Sequence, residues 1–589
     1  MRKAFVPFVL VVFAFFSLGF LFSQQNQEEA KFQKTVDSYL DAYWKFYPTA
    51  ATLAGFHNYD AKLEDLSGKN IERHQDDLDL FTQELVTKVD KTKLGAEGQI
   101  DYDILRSALE LEVMRHENLV PWEYNPLFYN EILLNCIRGL LVKESAPIDA
   151  RVKNATQRAK LLPGLIKQAK ENLKTPPQIY TETAIKQVPG IIDFYKNEAP
   201  KLMESASPEA KTGFQAEMVK VNSALGEYQG FLQTQLLPKS TGNFRLGEQA
   251  HARLLSLTSE FSIPPVDLVA RAKADYNNIR REMFLVCTPF YRIMYPDINL
   301  EQMTTQREAE EVRNIVISGV LDKIKAEHPT RENFIEQAKG DVETLKKFIA
   351  ETKLIDLPEA SLAIETMPPA ERGVCWTRLL APGPYESATD YVVEIAPLPD
   401  DWTPEQATSL LEEYTNFYSY FWTVRNIFPG LFVPTAFTQK NSSLIRKIYP
   451  SLPIYKGWPA YVEEMLINAG FGSYDLRLRL NQLKSQLKIV MDFNLELNIH
   501  EGGMTKEQAV QYLTRGGFQT PQEAEMKWNR ILLKPCDTAY AYIGLQEIYD
   551  MEKDYRKLKG DAFSKKDFLQ KLLSFGNLSL RQLKLKMAQ

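Results

Sequence analysis

In a helical chain the first chemistry to look for is a pair of histidines four residues apart on one helix face. With a glutamate between them, such a pair holds zinc and activates water. The six histidines here are His57, His74, His116, His251, His328 and His500, and no two are closer than 17 positions. Only His116 and His500 are followed by glutamate, and Val120 and Met504 stand where the second histidine would be needed. There is no GxSxG elbow, phosphate-binding loop or GxGxxG fingerprint. Cys136, Cys287, Cys375 and Cys536 are scattered. That spacing rules out a zinc ribbon or a CxxC redox pair and reads as buried free thiols, with one or two disulfides open for an exported chain.

One stretch nevertheless has the layout of a site. Between Tyr418 and Glu464 an aromatic helical run ends at Pro429-Gly430 and a loop follows. A second helix then opens at Lys456-Gly457-Trp458 and carries Tyr461, Glu463 and Glu464. Phe417, Tyr418, Tyr420, Phe421 and Trp422 recur as a helix-core stripe would.

The elements that must position this stretch are helical. Apolar residues recur three and four apart from Gln25 to about Leu237, as in Ile104, Leu105, Ala108, Leu109 and Val113. Pro147–Lys174 is expected to break or kink at Pro163-Gly164. Leu236-Leu237-Pro238 and Thr241-Gly242-Asn243 mark a seam. It divides an N-terminal helical region, 24–240, from a C-terminal one, 241–589, and the two are expected to pack as one unit. Prolines crowd the chain from Pro358 to Pro404. Within that tract Cys375–Leu380 and Tyr391–Ala396 read as an antiparallel pair lining a cleft, a small β element at 374–396. Thr403 with Gln406, Thr505 with Gln508, and Thr520 with Glu523 read as capped helix starts.

At the N-terminus Arg2 and Lys3 precede an apolar run from Ala4 to Phe22. Residues 1–23 therefore read as a signal peptide or an uncleaved anchor, which places the chain in the periplasm or outside the cell. No cysteine lies near enough for a lipid-modified anchor. The formal net charge of the 589 residues is -6, and no basic block would track a phosphate backbone, so nucleic acid is not an expected partner.

Five segments in order carry a family resemblance. They are FRLGEQAHARLL at Phe244–Leu255, PGLF at Pro429, KGWPAYVE at Lys456–Glu463, NIHEGGMTKEQAVQYL at Asn498–Leu513 and KPCDTAYAYIG at Lys534–Gly544. The chain resembles the domain-of-unknown-function 885 family, regarded as zinc-peptidase-like. The resemblance implies a large multi-helical peptidase-like fold with a central cleft. The family's HEAxPGHH, set in register by Pro429-Gly430, puts Arg425 at its first histidine and Asn426 at its catalytic glutamate. Leu431 and Phe432 fall at its histidine pair, and Lys456 at a glutamate ligand. Gly457, Trp458, Tyr461, Glu463 and His500 keep the family pattern, whereas Glu496 stands at its aspartate and Asp492 at an arginine. Asp537, Ala541 and Tyr542 replace a glutamine, a tyrosine and a lysine.

Chemistry agrees with the reading of a lost metal site. Zinc needs lone-pair donors, whereas Arg425 is permanently protonated and Leu431 and Phe432 offer none. An amide at Asn426 has no usable pKa for a general base. No metal or other cofactor is expected. The candidate cleft residues are Arg425, Asn426, Lys456, Trp458, Tyr461, Glu463, Asp492, His500 and Tyr542, with a peptide or small anion as ligand. Competing readings keep Arg425 and Lys456 as solvated surface charges, His500 as a structural histidine, and Trp458 and Tyr461 as packing residues. At the level of function the alternatives are a hydrolase with non-standard ligands or no zinc, and a structural envelope protein.

Overall fold

The computed structural model describes residues 5–588 apart from Val374 and Asn577, and the side chains of residues 5–23 and Ala370 lie outside that description. The leader expected at 1–23 and the first residue of the 374–396 element fall in those gaps. The protein is mainly α, with one small three-stranded sheet among the described residues. Among the described residues no helix is long and apolar enough to cross a membrane.

Among the described residues three apolar cores hold the helices. One lies wholly within residues 46–236. The second packs the helices Pro265–Met294 and Ala309–Ile324 against Leu476–His500 and Pro521–Leu533. The third and largest takes Phe32, Leu109 and Leu254 from early in the chain together with Trp422, Trp458, Ile543 and Leu583 from late in it. Arg138 donates to Glu394 at 2.6 Å, and the Tyr180 hydroxyl to the Leu532 carbonyl at 2.9 Å, so polar contacts as well as apolar ones cross the seam.

The expected strand pair is present as β2 (Thr377–Leu380) antiparallel to β3 (Asp390–Ile395). A third strand, β1 (Ser361–Thr366), pairs parallel with the other edge of β3, Leu362 opposite Tyr391. Its burial alternates, with Leu362 and Ile364 half-buried, but the exposed Ala363 between them blurs the polar–apolar alternation in the sequence.

Several sequence expectations need correction. The helix Ile148–Asn172 runs on through Pro163 rather than breaking there. The segment after Gly430 is not a plain loop: short helices Phe432–Gln439 and Leu444–Ile448 fill it. The next helix starts at Leu452, not at Lys456, because Pro453 fits a first turn that needs no N–H. Thr403 and Thr505 form complete capping boxes. Thr520 does not, although it occupies the cap position. Its N–H donates to Glu413 at 2.9 Å, and Glu523 turns away to Lys488 at 2.8 Å.

Candidate functional site

A cavity of about 1250 Å³ lies between the two regions of the chain. Its wall draws Tyr43 from the helix Phe5–Phe46, Tyr47 just beyond that helix, Asn130 and Asn135 from Pro126–Val142, and Trp376 and Arg378 from the edge of β2. The seam itself contributes Gly242 to Leu246. Tyr414, Tyr418 and Trp422 form an aromatic side beside Arg425 and Asn426.

The charged floor comes from two helices. Lys484, Lys488, Asp492, Glu496 and His500 follow one another at four-residue intervals along Leu476–His500, and so form one ridge, of which Lys488 and Asp492 reach the cavity. Glu523, Lys527 and Arg530 form the matching ridge on Pro521–Leu533, with Lys534 directly beyond it. The ridges interlock. Lys488 lies 2.8 Å from Glu523, and Lys527 lies 2.6 Å from Asp492 one turn further along both helices. Beneath them Glu413, fully buried, receives Lys484 at 3.1 Å and Lys488 at 3.0 Å. Burial opposes ionisation of Glu523, yet Lys488 and Lys527 override it and hold the carboxyl down at about 2. Burial pulls the Lys527 ammonium below the usual lysine range, with Asp492 opposing. The Lys488 ammonium also stands 4.8 Å from the centre of the Tyr418 ring.

Of the nine residues expected at the cleft, Arg425, Asn426, Lys456 and Asp492 line this cavity. The Arg425 Nε donates to Glu463 at 2.5 Å, and its Nη2 donates to the Ser485 hydroxyl at 2.6 Å and carbonyl at 2.7 Å. Burial pushes the Glu463 carboxyl above the usual carboxylate range, and the guanidinium opposes that only in part. The guanidinium keeps its proton and faces the Glu463 carboxyl across this contact. Lys456 reaches Asp537 at 3.2 Å. Asn426 donates to the Trp422 carbonyl at 2.8 Å.

The other five stand behind the wall. Glu463 is fully buried under Arg425. Trp458 is fully buried, with its indole N–H unpartnered. The Tyr461 hydroxyl donates to Glu552 at 2.6 Å, and that of Tyr542 to Asp275 at 2.8 Å. His500 is buried with its ring stacked on His251, centroids 5.1 Å apart and planes within 9°. Glu496 lies 3.3 Å from His500 and accepts from the Cys536 N–H at 2.7 Å.

Sequence reading missed Lys488, Glu523, Lys527 and Arg530. The four-residue spacing of charges along an otherwise apolar helix was the available signal, because a charge is retained in a core only when it has a partner. All four cysteines are free, and three of them are buried. Burial pushes the thiols of Cys136 and Cys287 up to about 12.

Where the resemblance implies metal ligands, the residues present do not fit a metal: a guanidinium bound to Glu463, a leucine and a phenylalanine. Among the described residues no group of three or more histidine, cysteine or acidic side chains is placed to hold an ion. A family model described as "Bacterial protein of unknown function (DUF885)" matches residues 48–587. The chain belongs to the DUF885 family. Among solved structures, a candidate lipoprotein of unknown function from Shewanella oneidensis is similar at 24% identity and a TM-score of 0.76. That match covers 95% of this chain and all of the other. A second candidate lipoprotein, from Colwellia psychrerythraea, is similar at 13% identity and a TM-score of 0.72, over 96% and 98% of the two chains. At these identities the likeness is one of fold. No curated protein matches.

Proposed function

We propose that this DUF885 protein is an exported, non-catalytic member of a peptidase-like family whose cavity binds a peptide or similar anionic ligand. One observation carries the reading: the cavity lining holds nine arginine and lysine side chains against six carboxylates. The surface a ligand would meet thus carries more cations than carboxylates in a chain of net charge -6, although Glu463 and Glu413 behind the wall offset Arg425 and Lys488, and that surface favours an anion. The volume exceeds the roughly 300–1,000 Å³ of ordinary small-molecule sites, which suits an oligopeptide better than a metabolite. Arg425 and Lys456 at positions where the family resemblance implies zinc ligands support binding without metal-assisted hydrolysis.

The two solved structures of similar fold are described as candidate lipoproteins, and this chain has no cysteine before Cys136. Export through residues 1–23 fits it better, with retention at the membrane by residues 4–22 if that leader stays uncleaved.

A hydrolase acting without zinc is the second reading. It is favoured by Lys527, a cavity lysine whose ammonium burial destabilises, as a general base requires. Metal analysis of the purified protein, run with a hydrolysis screen over aminoacyl and dipeptide substrates, separates the two. Binding alone predicts substoichiometric zinc and no turnover. Stoichiometric zinc with chelator-sensitive hydrolysis overturns it.

A further inference from the structure

The lining contains more cations than a ligand could use, because most are already paired. Arg425 is held by Glu463 and Ser485, Lys456 by Asp537, and Lys488 by Glu413 and Glu523. Arg530 differs. It lines the cavity, and its guanidinium makes no hydrogen bond or ion pair with any described residue. The nearby carboxylates that could have taken it are engaged elsewhere: Glu523 by Lys488 and Asp537 by Lys456. Lys534, one turn further on and also on the lining, is likewise without a direct partner, and it sits where the wall is exposed.

We propose that Arg530, with Lys534 beside it, is the anchor for the C-terminal carboxylate of a bound peptide. The assignment rests on the peptide-binding reading above and goes further by naming the end of the ligand and the residue that holds it. A guanidinium presents a planar fork of N–H donors that matches a carboxylate in two parallel hydrogen bonds. Glu523, Asp492 and Asp537 also act on Arg530 electrostatically. Their negative charge tolerates a monovalent anion at the fork better than a phosphate dianion. Tyr414 lies among these neighbours, and with Tyr418 and Trp422 it offers the peptide's last side chains an aromatic wall.

The test uses the full chain and two pooled libraries of random tetrapeptides lacking Asp and Glu, one with free C-termini and one amidated. Retained peptides are counted by mass spectrometry. Wild type is expected to retain acids over amides by about tenfold, the loss typical when a buried charged donor is left unmatched. Arg530→Gln should bring the two pools to parity. Arg530→Lys should fall between, keeping the charge without the fork, and it remains informative if Arg530→Gln does not fold. Equal retention of acids and amides by wild type overturns the carboxylate anchor and leaves peptide binding standing. Retention of neither pool removes peptide binding itself. Displacement of the acids by inorganic phosphate at concentrations where acetate has no effect reassigns the fork to phosphate and also overturns the proposal.

Discussion

Glu463 has no water to turn to, since it is fully buried and its partner is Arg425. Removing one member of such a pair strands the other charge, so Glu463→Ala should cost about 3–5 kcal/mol in urea unfolding. Replacing both, as Arg425→Met with Glu463→Leu, should recover most of that loss, because a matched apolar pair needs no desolvation. A double variant no more stable than Glu463→Ala would show that the pair is not the source of the effect. Arg425, Lys456, Asp492 and Glu463 were legible as charges worth attention. Their pairings were not, because Arg425 meets Glu463 across 38 positions and only tertiary packing sets that meeting. Arg530 was passed over for a related reason: an arginine without a partner looks the same in sequence as one with a partner.

The helices Leu452–Asn468 and Ala539–Lys559 cross where Gly457 faces Gly544. A Cβ on Gly544 would fall 1.9 Å from the Pro453 carbonyl oxygen, so backbone must move. Gly544→Ala should therefore destabilise by about 1–3 kcal/mol, the usual cost of overpacking, seen as a lowered melting temperature. Capping gives a sharper contrast. Thr403 accepts from Gln406 in a full capping box, and Thr403→Ala should cost about 1 kcal/mol. Thr520→Ala should cost clearly less, since its buried hydroxyl caps nothing. Equal losses would contradict the geometry. Helix existence was readable from apolar spacing, as were the caps at Thr403 and Thr505. The cap at Thr520 failed because Lys488 competes for Glu523 across the cavity floor, a contact that no local pattern encodes.

At the scale of the molecule, acid should loosen the N-terminal region first. His74 and His116 lie 5.1 Å apart, and His74 stacks on Phe46 at 3.8 Å. Burial holds His74 down at about 3 and His116 at about 4. Below their ordinary value of about 6.5 the unfolded chain binds protons that the folded chain refuses, so stability falls as pH drops from there toward 4. Melting temperatures across that window should decline in wild type and decline less steeply in His74→Gln; parallel curves would remove the histidines as the cause. The mainly helical class and the strand pair of the 374–396 element were legible in the chain. A cleft lined by that strand pair was expected, and Thr377 and Arg378 of β2 do border the cavity; most of its other walls were not legible, since they come from segments hundreds of positions apart. The central claim, a cationic cavity that binds peptide without metal-dependent cleavage, is tested most directly by identifying peptides held by the chelator-treated full chain before and after zinc is restored. The account predicts intact peptides, retained equally in both states. Cleaved products appearing only with zinc would contradict it.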